Sequence, residues 1–334
     1  MAERRAPTIS DVARRAGVGT GTVSRVLNDS PRVSPATHAR VREAIDHLGY
    51  RRNAAARSLS LGRSNSIGVV APFFTSPSVV ERLRGVSGRL ARHGYDLLLF
   101  AIETPAQRCD VFREFARPDR VTGLLVISLP LTDEEVAALR AQRLPAVLVD
   151  AGHPGLPSVA KDDVRGGELA AQHLIDLGHE RIGFVGDAAQ PGPPALAGGE
   201  AERVLRRALR RAGLPSGSRW ERLGLHGRAP ARELAADLLS RAGRPTAVFA
   251  ASDIQALGVL EAARDAGLRV PGDLAVIGFD DVELAELLGL STVRQPLARM
   301  GDHGAALLLR VLENGAAEPV EALPALEVVR RRTT

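Results

Sequence analysis

Residues 8–28 read TISDVARRAGVGTGTVSRVLN, and their spacing shows how the chain begins to fold. From Ile9 to Ala16, apolar residues recur three and four positions apart, which is the spacing of one buried helix face. Thr8 before this stripe is a favourable N-cap, and Gly17 after it is a favourable residue for ending a helix. The stretch therefore predicts a short first helix that ends at Gly17.

Two more small helices are predicted in the same segment. The second starts near Thr20 and buries Val23 and Val26, after a turn of only a few residues. The third begins after Ser34, with Pro35 at its first position, where the missing N–H costs no hydrogen bond. A short turn between two such helices is typical of a helix-turn-helix, whose second helix enters the major groove of DNA. Three amphipathic helices also suit a generic bundle, so periodicity alone leaves both interpretations open.

The charge of the chain is unevenly placed. Residues 1–63 contain 12 Arg and 5 Asp or Glu, a balance of +7, whereas the other 271 residues contain 32 basic and 34 acidic residues, a balance of −2. A general preference for Arg is evident, since Lys161 is the only lysine, but it does not explain this asymmetry. A basic head on a nearly neutral body fits polyanion binding by the head alone.

Several classes of protein are disfavoured. No run of 18 apolar residues and no apolar signal-peptide region are present, so we expect a cytoplasmic protein without a membrane segment. Cys109 is the only cysteine, and no Cys/His cluster has zinc spacing. The first strand of the body is not followed by GxGxxG, and no P-loop, GxSxG or HExxH motif occurs. We therefore expect no metal, no cofactor and no enzymatic activity.

From Ser66 onward, Val/Ile/Leu-rich runs alternate with amphipathic stretches, which predicts parallel strands covered by helices on both faces. The pattern occurs twice, with a change near residues 150–161. The expected class is α/β: a three-helix helix-turn-helix head and a hinge helix, then two Rossmann-like subdomains with a cleft between them. Helices are predicted at 79–93, 132–142, 163–178, 200–213, 229–242 and 253–267.

The quoted segment, followed by VSPATHARVREAIDHLGYRRNAAARSL at 33–59, resembles the DNA-binding part of the LacI/GalR repressor family. The body resembles the type I periplasmic-binding-protein-like effector domain of the same family, for example in HLIDLGHERIGFVGD and DAGLRVPGDLAVIGFDD. The resemblance implies a helix-turn-helix DNA-binding domain at 1–51, a hinge helix or linker at 52–64, and an effector-binding and dimerisation domain at 65–334.

The resemblance also implies which residues of the head contact DNA. Base reading falls to Thr20, Gly21 and Arg25, and Arg25 has the chemistry to donate two hydrogen bonds to a guanine. Two departures matter, because Gly19 stands where the family usually has a serine cap and Gly21 has no side chain at a reading position. The remaining DNA-contacting positions, most of them on the phosphate backbone, are Thr8, Gly19, Thr22, Ser24, Asn28, Ser34, Thr37 and Tyr50.

Residues 53–60, NAAARSLS, are too short and too weakly apolar to form a stable helix alone. A flexible linker is one interpretation. In the family that the chain resembles, this stretch folds on DNA as a hinge helix in the minor groove, where a leucine wedges open the central base step. That role falls to Leu59 here, with Asn53, Ala56 and Arg57 beside it.

Polar residues at the predicted strand ends form a candidate effector site in the cleft, since open α/β sheets bind ligands there. These residues are Asp150, Ser252 and Asp280, and Asp280 matches an effector-binding aspartate of the family. The usual aromatic pair after the first strand is replaced in TSPSV, which leaves Ser76 and Val79 at the site and Phe73 or Phe74 as stacking faces. Ala201 stands where the family commonly has an arginine. These departures argue against a typical sugar site, and the expected effector is a small molecule, a sugar or another metabolite.

These features predict a sequence-specific transcriptional repressor that binds a pseudo-palindromic operator as a homodimer. The recognition helix lies in the major groove, the hinge helix in the minor groove, and a small molecule in the cleft modulates binding. A transport-binding protein shares the architecture of the body, but it needs export and has no DNA-binding head. A DNA-binding dimer whose effector domain no longer responds to a ligand remains an alternative.

Overall fold

The computed structural model describes residues 7–27, 30–50, 64–160, 162–188, 200–315 and 323–334. The chain forms two compact units, Met1–Arg63 and Ser64–Thr334.

The first unit contains three helices, α1 (Ile9–Ala16), α2 (Thr20–Leu27) and α3 (Pro35–Leu48). The Thr8 side chain accepts a hydrogen bond from the Asp11 amide, and the Asp11 carboxylate accepts one from the Thr8 amide, so α1 begins with a capping box. Gly17 ends this helix at a φ of 65°, a left-handed conformation that favours glycine. The helices enclose one small core that consists of Val12, Ala13, Ala16, Val23, Val26, Val41 and Ala44.

The second unit begins with a five-stranded parallel subdomain. Its elements are β1 (Ser66–Pro72), α4 (Pro77–Arg92), β2 (Asp96–Ile102), α5 (Pro105–Asp110, continued by a π-helical turn at Val111–Phe115), β3 (Gly123–Ile127), α6 (Asp133–Ala141), β4 (Ala146–Val149) and β5 (Ser158–Val159). The strand order is β2-β1-β3-β4-β5, and neighbouring strands pair in parallel. Along β1, successive side chains enter cores on opposite faces of the sheet: Val69 packs on one face and Val70 on the other.

A second subdomain follows after β5. Its elements are α7 (Asp163–Asp176), β6 (Ile182–Asp187), α8 (Glu200–Arg211), a 3₁₀ turn at Ser218–Trp220, β7 (Glu221–Gly224), α9 (Arg228–Ser240), β8 (Ala247–Ala250), α10 (Asp253–Asp265), β9 (Ala275–Asp280), α11 (Glu283–Leu288) and β10 (Ser291–Arg294). With a last strand, β11 (Glu327–Val329), the sheet has the order β11-β10-β9-β8-β6-β7. Only β11 is antiparallel to its neighbour.

Between β10 and β11, the chain returns to the first subdomain as α12 (Leu297–Asn314). Met300 and Leu308 of α12 lie in the same core as Val69 of β1. The backbones of α12 and α4 come very close, because a Cβ at Gly301 would overlap the carbonyl oxygen of Arg82 and a Cβ at Gly85 would overlap that of Ala298. The first subdomain is therefore completed by a helix that is distant in sequence.

The structure confirms the predicted class and all six predicted body helices, with ends that agree to within two residues. The change predicted near residues 150–161 matches the passage from β5 to α7. The sequence did not predict α5, α11 or α12, and it therefore missed that the chain crosses back to the first sheet.

Candidate DNA-binding and effector sites

Helix α2 has one buried and one outward face. Val23 and Val26 are buried in the core of the head, whereas Thr20, Gly21 and Arg25 are exposed. The three predicted base-reading residues thus share the solvent side of one helix. Arg25 forms no ion pair with any residue in the described ranges, so its guanidinium has no competing carboxylate there.

Gly19 takes the position directly before α2. Its carbonyl oxygen accepts hydrogen bonds from the amides of Thr22 and Val23, at 2.9 and 3.2 Å. A Cβ added at Gly19 would meet open space. The glycine therefore fills the cap position without a side-chain hydrogen bond, and the Thr22 and Ser24 side chains behind it are half-buried.

The predicted phosphate-contacting hydroxyls lie at helix N-termini. The Thr8 hydroxyl donates to the Asp11 carboxylate at 2.7 Å, at the start of α1. Ser34 accepts from the Thr37 amide at 3.3 Å, and its hydroxyl donates to the Thr37 hydroxyl at 2.9 Å, at the start of α3. Free amides and the helix dipole favour an anion at such ends. Tyr50 is half-buried against the core of the head.

The other predicted DNA contacts, Asn28, Asn53, Ala56, Arg57 and Leu59, lie outside the residues that the structure describes.

In the first subdomain, the predicted effector residues that follow β1 differ in where their side chains lie. Phe74 packs against the core of the subdomain, and Val79 is 5% exposed within it. Val79 lies on the buried face of α4, and Phe74 precedes this helix. Phe73 differs, because its φ of 47° turns the backbone away from the strand. Ser76 precedes α4, and its hydroxyl lies 3.5 Å from that of Ser78.

Asp150 forms a buried ion pair that the sequence did not predict. Its Oδ2 lies 2.7 Å from Arg82 Nη2, and the two side chains are 9% and 3% exposed. The Ser128 hydroxyl donates to the same oxygen at 2.8 Å. The carboxylate at the end of β4 is thus held by a cation from α4.

In the second subdomain, the predicted residues lie at the carboxyl ends of β8 and β9. Ser252 caps α10 by accepting a hydrogen bond from the Gln255 amide at 3.3 Å. The Asp280 Oδ1 accepts from the Gln295 side chain at 2.7 Å, and Asp280 is 8% exposed. Ala201 lies in α8, where only the backbone position is described.

Three further residues at this edge were missed by the sequence analysis. The Gln255 amide donates to Asp187 Oδ1 at 2.8 Å, and His226 Nδ1 lies 3.2 Å from Asp187 Oδ2. The His226 ring in turn stacks on Phe73, with the ring centroids 5.7 Å apart and the planes at 28°. The carboxyl ends of the two sheets therefore lie close together, and they are joined by a contact between one aromatic ring of each subdomain.

Asp253 is a buried carboxyl group behind this edge. It accepts hydrogen bonds from the Thr292 hydroxyl at 2.5 Å and from the Val282 amide at 2.9 Å. Burial raises the pKa of Asp253 to about 8, and the charge of Asp280 adds to the shift, while these two hydrogen bonds oppose it. The second bond fixes the turn after Asp280, so Asp253 supports the backbone that carries the predicted effector carboxylate.

This raised pKa predicts a pH dependence of stability. Between about pH 4 and pH 8 the folded chain holds a proton on Asp253 that the unfolded chain releases, so stability falls as the pH rises through this window. Asp253→Asn does not titrate; its amide oxygen can accept from the Val282 N–H, and its NH2 group can donate to the Thr292 hydroxyl oxygen. Denaturant unfolding at pH 5 to 8 measures the free energy of unfolding of both proteins. With rising pH, this free energy should fall more steeply for the wild type than for the variant, by up to ~1.4 kcal/mol per pH unit. Equal slopes for the two proteins would contradict a protonated Asp253.

The described part of the chain contains neither a membrane-spanning helix nor a cluster of metal ligands. No helix there is long and apolar enough to cross a membrane. No group of three or more His, Cys, Asp or Glu residues in these ranges is arranged to hold a metal ion.

A small helix-turn-helix head and a body of two parallel-sheet subdomains define a class, the transcriptional regulators that bind DNA. Comparisons with known proteins agree. Residues 8–53 match the bacterial regulatory proteins of the lacI family, and residues 171–334 match the periplasmic binding protein-like domain. This protein belongs to the LacI family of transcriptional regulators.

Similar proteins include repressors over nearly the whole chain. The ribose operon repressor of Escherichia coli K12 is 36% identical over 307 residues, which are 90% of this chain and 92% of that protein. The HTH-type transcriptional repressor PurR of Mannheimia succiniciproducens is 33% identical over 331 residues, which are 97% of this chain and 98% of that protein. The structure of the lac repressor dimer bound to operator and the anti-inducer ONPF has a TM-score of 0.85 at 27% sequence identity. The match covers 98% of this chain and 99% of that chain. The structure of the transcriptional regulator CelR in complex with cellobiose has a TM-score of 0.71 at 32% sequence identity. The match covers 98% of this chain and 100% of that chain.

Proposed function

We propose that this protein is a repressor that binds a pseudo-palindromic operator as a homodimer and responds to a small molecule between its two body subdomains. The observation that carries the proposal is the outward polar face of α2, which presents Thr20 and Arg25 to solvent while its apolar face is buried. A helix with this division of faces fits a major groove. In the proposal, Asn53, Ala56, Arg57 and Leu59 form the minor-groove hinge.

Exposed apolar side chains support the homodimer. Leu98 lies on β2 and Leu223 on β7, which are edge strands of the two sheets, and both side chains are exposed. Val80 of α4, Leu225 and Leu287 are also exposed, the last two at 64% and 73%. Single exposed leucines are ordinary, but apolar side chains on edge strands are a liability unless a partner covers them. Because a two-fold dimer uses the same patch twice, these surfaces suit a second copy of the chain.

The cleft supports a polar ligand with a flat face. Phe73 offers a stacking surface, and the carboxylates of Asp187 and Asp280 accept hydrogen bonds from hydroxyl or amine groups. A sugar fits this description, as does another metabolite with several hydroxyl or amine groups. A thermal-shift screen that starts with cellobiose, the ligand of the CelR neighbour, tests for binding, because a ligand that binds only the folded state raises the melting temperature.

One observation favours the second candidate, a DNA-binding dimer with a ligand-independent body. The Phe73 and His226 rings already contact each other across the cleft. A screen without any stabilising compound, combined with specific operator binding, would support this candidate.

The DNA-binding proposal is tested by Arg25→Ala. An operator is first selected from random-sequence DNA with the wild-type protein, and affinities are then measured at fixed salt. Loss of a bidentate contact to guanine should weaken operator binding by ~1–3 kcal/mol and relax the preference at one base pair in each half-site.

The matched control for this test is Arg264→Ala, which removes the same charge from an exposed position on the body. It should leave operator affinity unchanged. If Arg25→Ala weakened binding equally to every DNA sequence, Arg25 would be a phosphate contact and not a base reader.

A further inference from the structure

A buried guanidinium group lies at the carboxyl edge of the first sheet. Arg82 belongs to α4, and its Nη2 lies 2.7 Å from the carboxylate of Asp150, which follows β4. The hydroxyl of Ser128, which follows β3, donates to the same carboxylate oxygen at 2.8 Å. Because open α/β sheets bind ligands at the carboxyl ends of their strands, this ion pair lies at the candidate effector cleft.

The hydrogen bonds of this arginine are incomplete. Arg82 is 2% exposed, and Asp150 is the only partner that the described residues give its guanidinium. The Nε atom is buried and has no hydrogen-bond acceptor among those residues. A buried donor without an acceptor costs free energy. We therefore expect the acceptor for Nε to come from outside the protein chain.

The backbone at this place has an unusual conformation. Ser128 has a φ of 50° and Asp150 a φ of 59°, in the left-handed region that few non-glycine residues adopt. Residues held in this region cost free energy, and they concentrate at binding sites, where the surrounding structure enforces them. The two side chains that contact each other here are thus held in place before any ligand arrives.

The geometry of the guanidinium limits which group can accept from Nε. The N–H of Nε and one N–H of Nη2 point along the same edge of an arginine, as a fork with two donors. Asp150 accepts from Nη2, so an oxygen that accepts from Nε lies close to the Asp150 carboxylate. A ligand carboxylate or phosphate would place a second negative group beside that carboxylate. A hydroxyl group avoids this repulsion, because it accepts from Nε and donates its own hydrogen to Asp150.

A second buried atom without a partner lies on the facing subdomain. Gln295 follows β10 and is 6% exposed, and its Nε2 donates to Asp280 at 2.7 Å. Its Oε1 is buried and has no hydrogen-bond donor within the described part of the chain. This oxygen needs a donor, whereas Nε of Arg82 needs an acceptor. A ligand with several hydroxyl groups satisfies both atoms, since each hydroxyl can donate and accept.

We propose that Arg82 and Asp150 form a hydroxyl-binding subsite, in which a ligand hydroxyl accepts from Arg82 Nε and donates to Asp150. The inference rests on the proposed function and narrows its ligand to a neutral compound with several hydroxyl groups, such as a sugar or a polyol. Acids without hydroxyl groups are excluded. Arg82 determines this specificity, because an analogue that lacks the hydroxyl leaves Nε buried without an acceptor.

A thermal-shift screen of the full-length protein provides the probe. The screen contains neutral sugars and polyols, such as cellobiose, D-glucose and myo-inositol, and hydroxyl-free acids and amines, such as succinate and putrescine. The compound that raises the melting temperature most should be a sugar or a polyol. Stabilisation by hydroxyl-free compounds alone would overturn the subsite and leave the proposed ligand response standing. No stabilisation by any compound would overturn the ligand response and the subsite with it.

The decisive test combines Arg82→Lys with monodeoxy analogues of the stabilising compound. Lysine keeps the charge opposite Asp150 but offers a single nitrogen in place of the fork. Calorimetric titration of the wild type should find one analogue that binds about 10-fold or more weakly than the parent compound. In Arg82→Lys, the penalty for the same analogue should fall below about 3-fold, and the penalties for the other analogues should stay the same.

Arg89→Lys is the matched control. Arg89 lies two turns further along α4 and donates to Asp302 of α12 through Nε and Nη2. This variant should bind the parent compound within about 2-fold of the wild type and retain every deoxy penalty, because Arg89 lies away from the fork. Melting temperatures without ligand show that both variants are folded.

Two outcomes would overturn the subsite even when a sugar or a polyol binds. Equal deoxy penalties in Arg82→Lys and the wild type would show that the ligand does not use Arg82, and would assign the acceptor of Nε to water. The series on the wild type needs no variant. If every monodeoxy analogue bound the wild type as well as the parent compound, no single hydroxyl would be recognised at this place.

Discussion

Gly301→Ala is expected to destabilise the body of the protein by about 3 kcal/mol or more, at the upper end of what overpacking costs. A methyl group at this position would overlap the backbone carbonyl of Arg82 in α4, and backbone cannot move aside as a flexible side chain can. Helices α4 and α12 must then separate along their contact and lose the packing of Met300 and Leu308. Urea unfolding monitored by circular dichroism measures the loss.

Gly88→Ala is the matched control, since Gly88 lies in α4 and its nearest neighbour for an added methyl is the flexible end of Arg92, 3.6 Å away. In the interior of a helix this substitution stabilises by ~0.5–1 kcal/mol, because alanine loses less backbone entropy on folding. Gly301→Ala should therefore be less stable than the wild type, and Gly88→Ala should be more stable. Equal unfolding midpoints would show that the crossing of α4 and α12 tolerates a side chain.

Arg82→Met should cost about 3–5 kcal/mol of stability, the range for removal of one partner from a buried ion pair. Methionine fills the space of the Arg82 stem, but the buried Asp150 carboxylate loses its ion pair with Arg82 and keeps the hydrogen bond from the Ser128 hydroxyl. The loss arises from the broken ion pair and not from a cavity. Denaturant unfolding at neutral pH is the measurement.

Asp150→Asn in the Arg82→Met background tests this cause. The amide removes the buried negative charge at nearly constant shape, so the double variant should recover a large part of the lost stability. A double variant no more stable than Arg82→Met would mean that the charge is not the origin of the effect. The same measurements show how far the ion pair, and not packing, holds the end of β4.

The head of the protein was predictable from its sequence because its signals are local. A cap at Thr8, a stop at Gly17 and a proline at the start of α3 each act within one turn of helix, and the structure contains all three. Helix α12 was missed for a physical reason. Gly301 and Gly304 interrupt its hydrophobic stripe and read as helix-breaking residues, yet in the structure they permit close contact with Arg82 and Val149.

The cleft was only partly predictable because it depends on contacts between distant segments. The rule that selected Asp150 and Asp280, a carboxylate at the end of a buried strand, applies equally to Asp187 and would have found it. His226 carries no comparable signal, since it follows the weakly apolar edge strand β7. The resemblance pointed to Val79, and the burial of that side chain depends on how α4 packs, which the sequence alone does not give.

The return of α12 to the first sheet has a consequence for how the protein is made. A ribosome delivers the first five strands early, but the apolar surface that α12 covers stays open until residue 314 has left the exit tunnel. The second sheet waits for still later residues, because its edge strand β11 comes last. Neither half is finished during most of synthesis, and premature termination after residue 296 leaves both incomplete, so the nascent polypeptide is a natural client for chaperones.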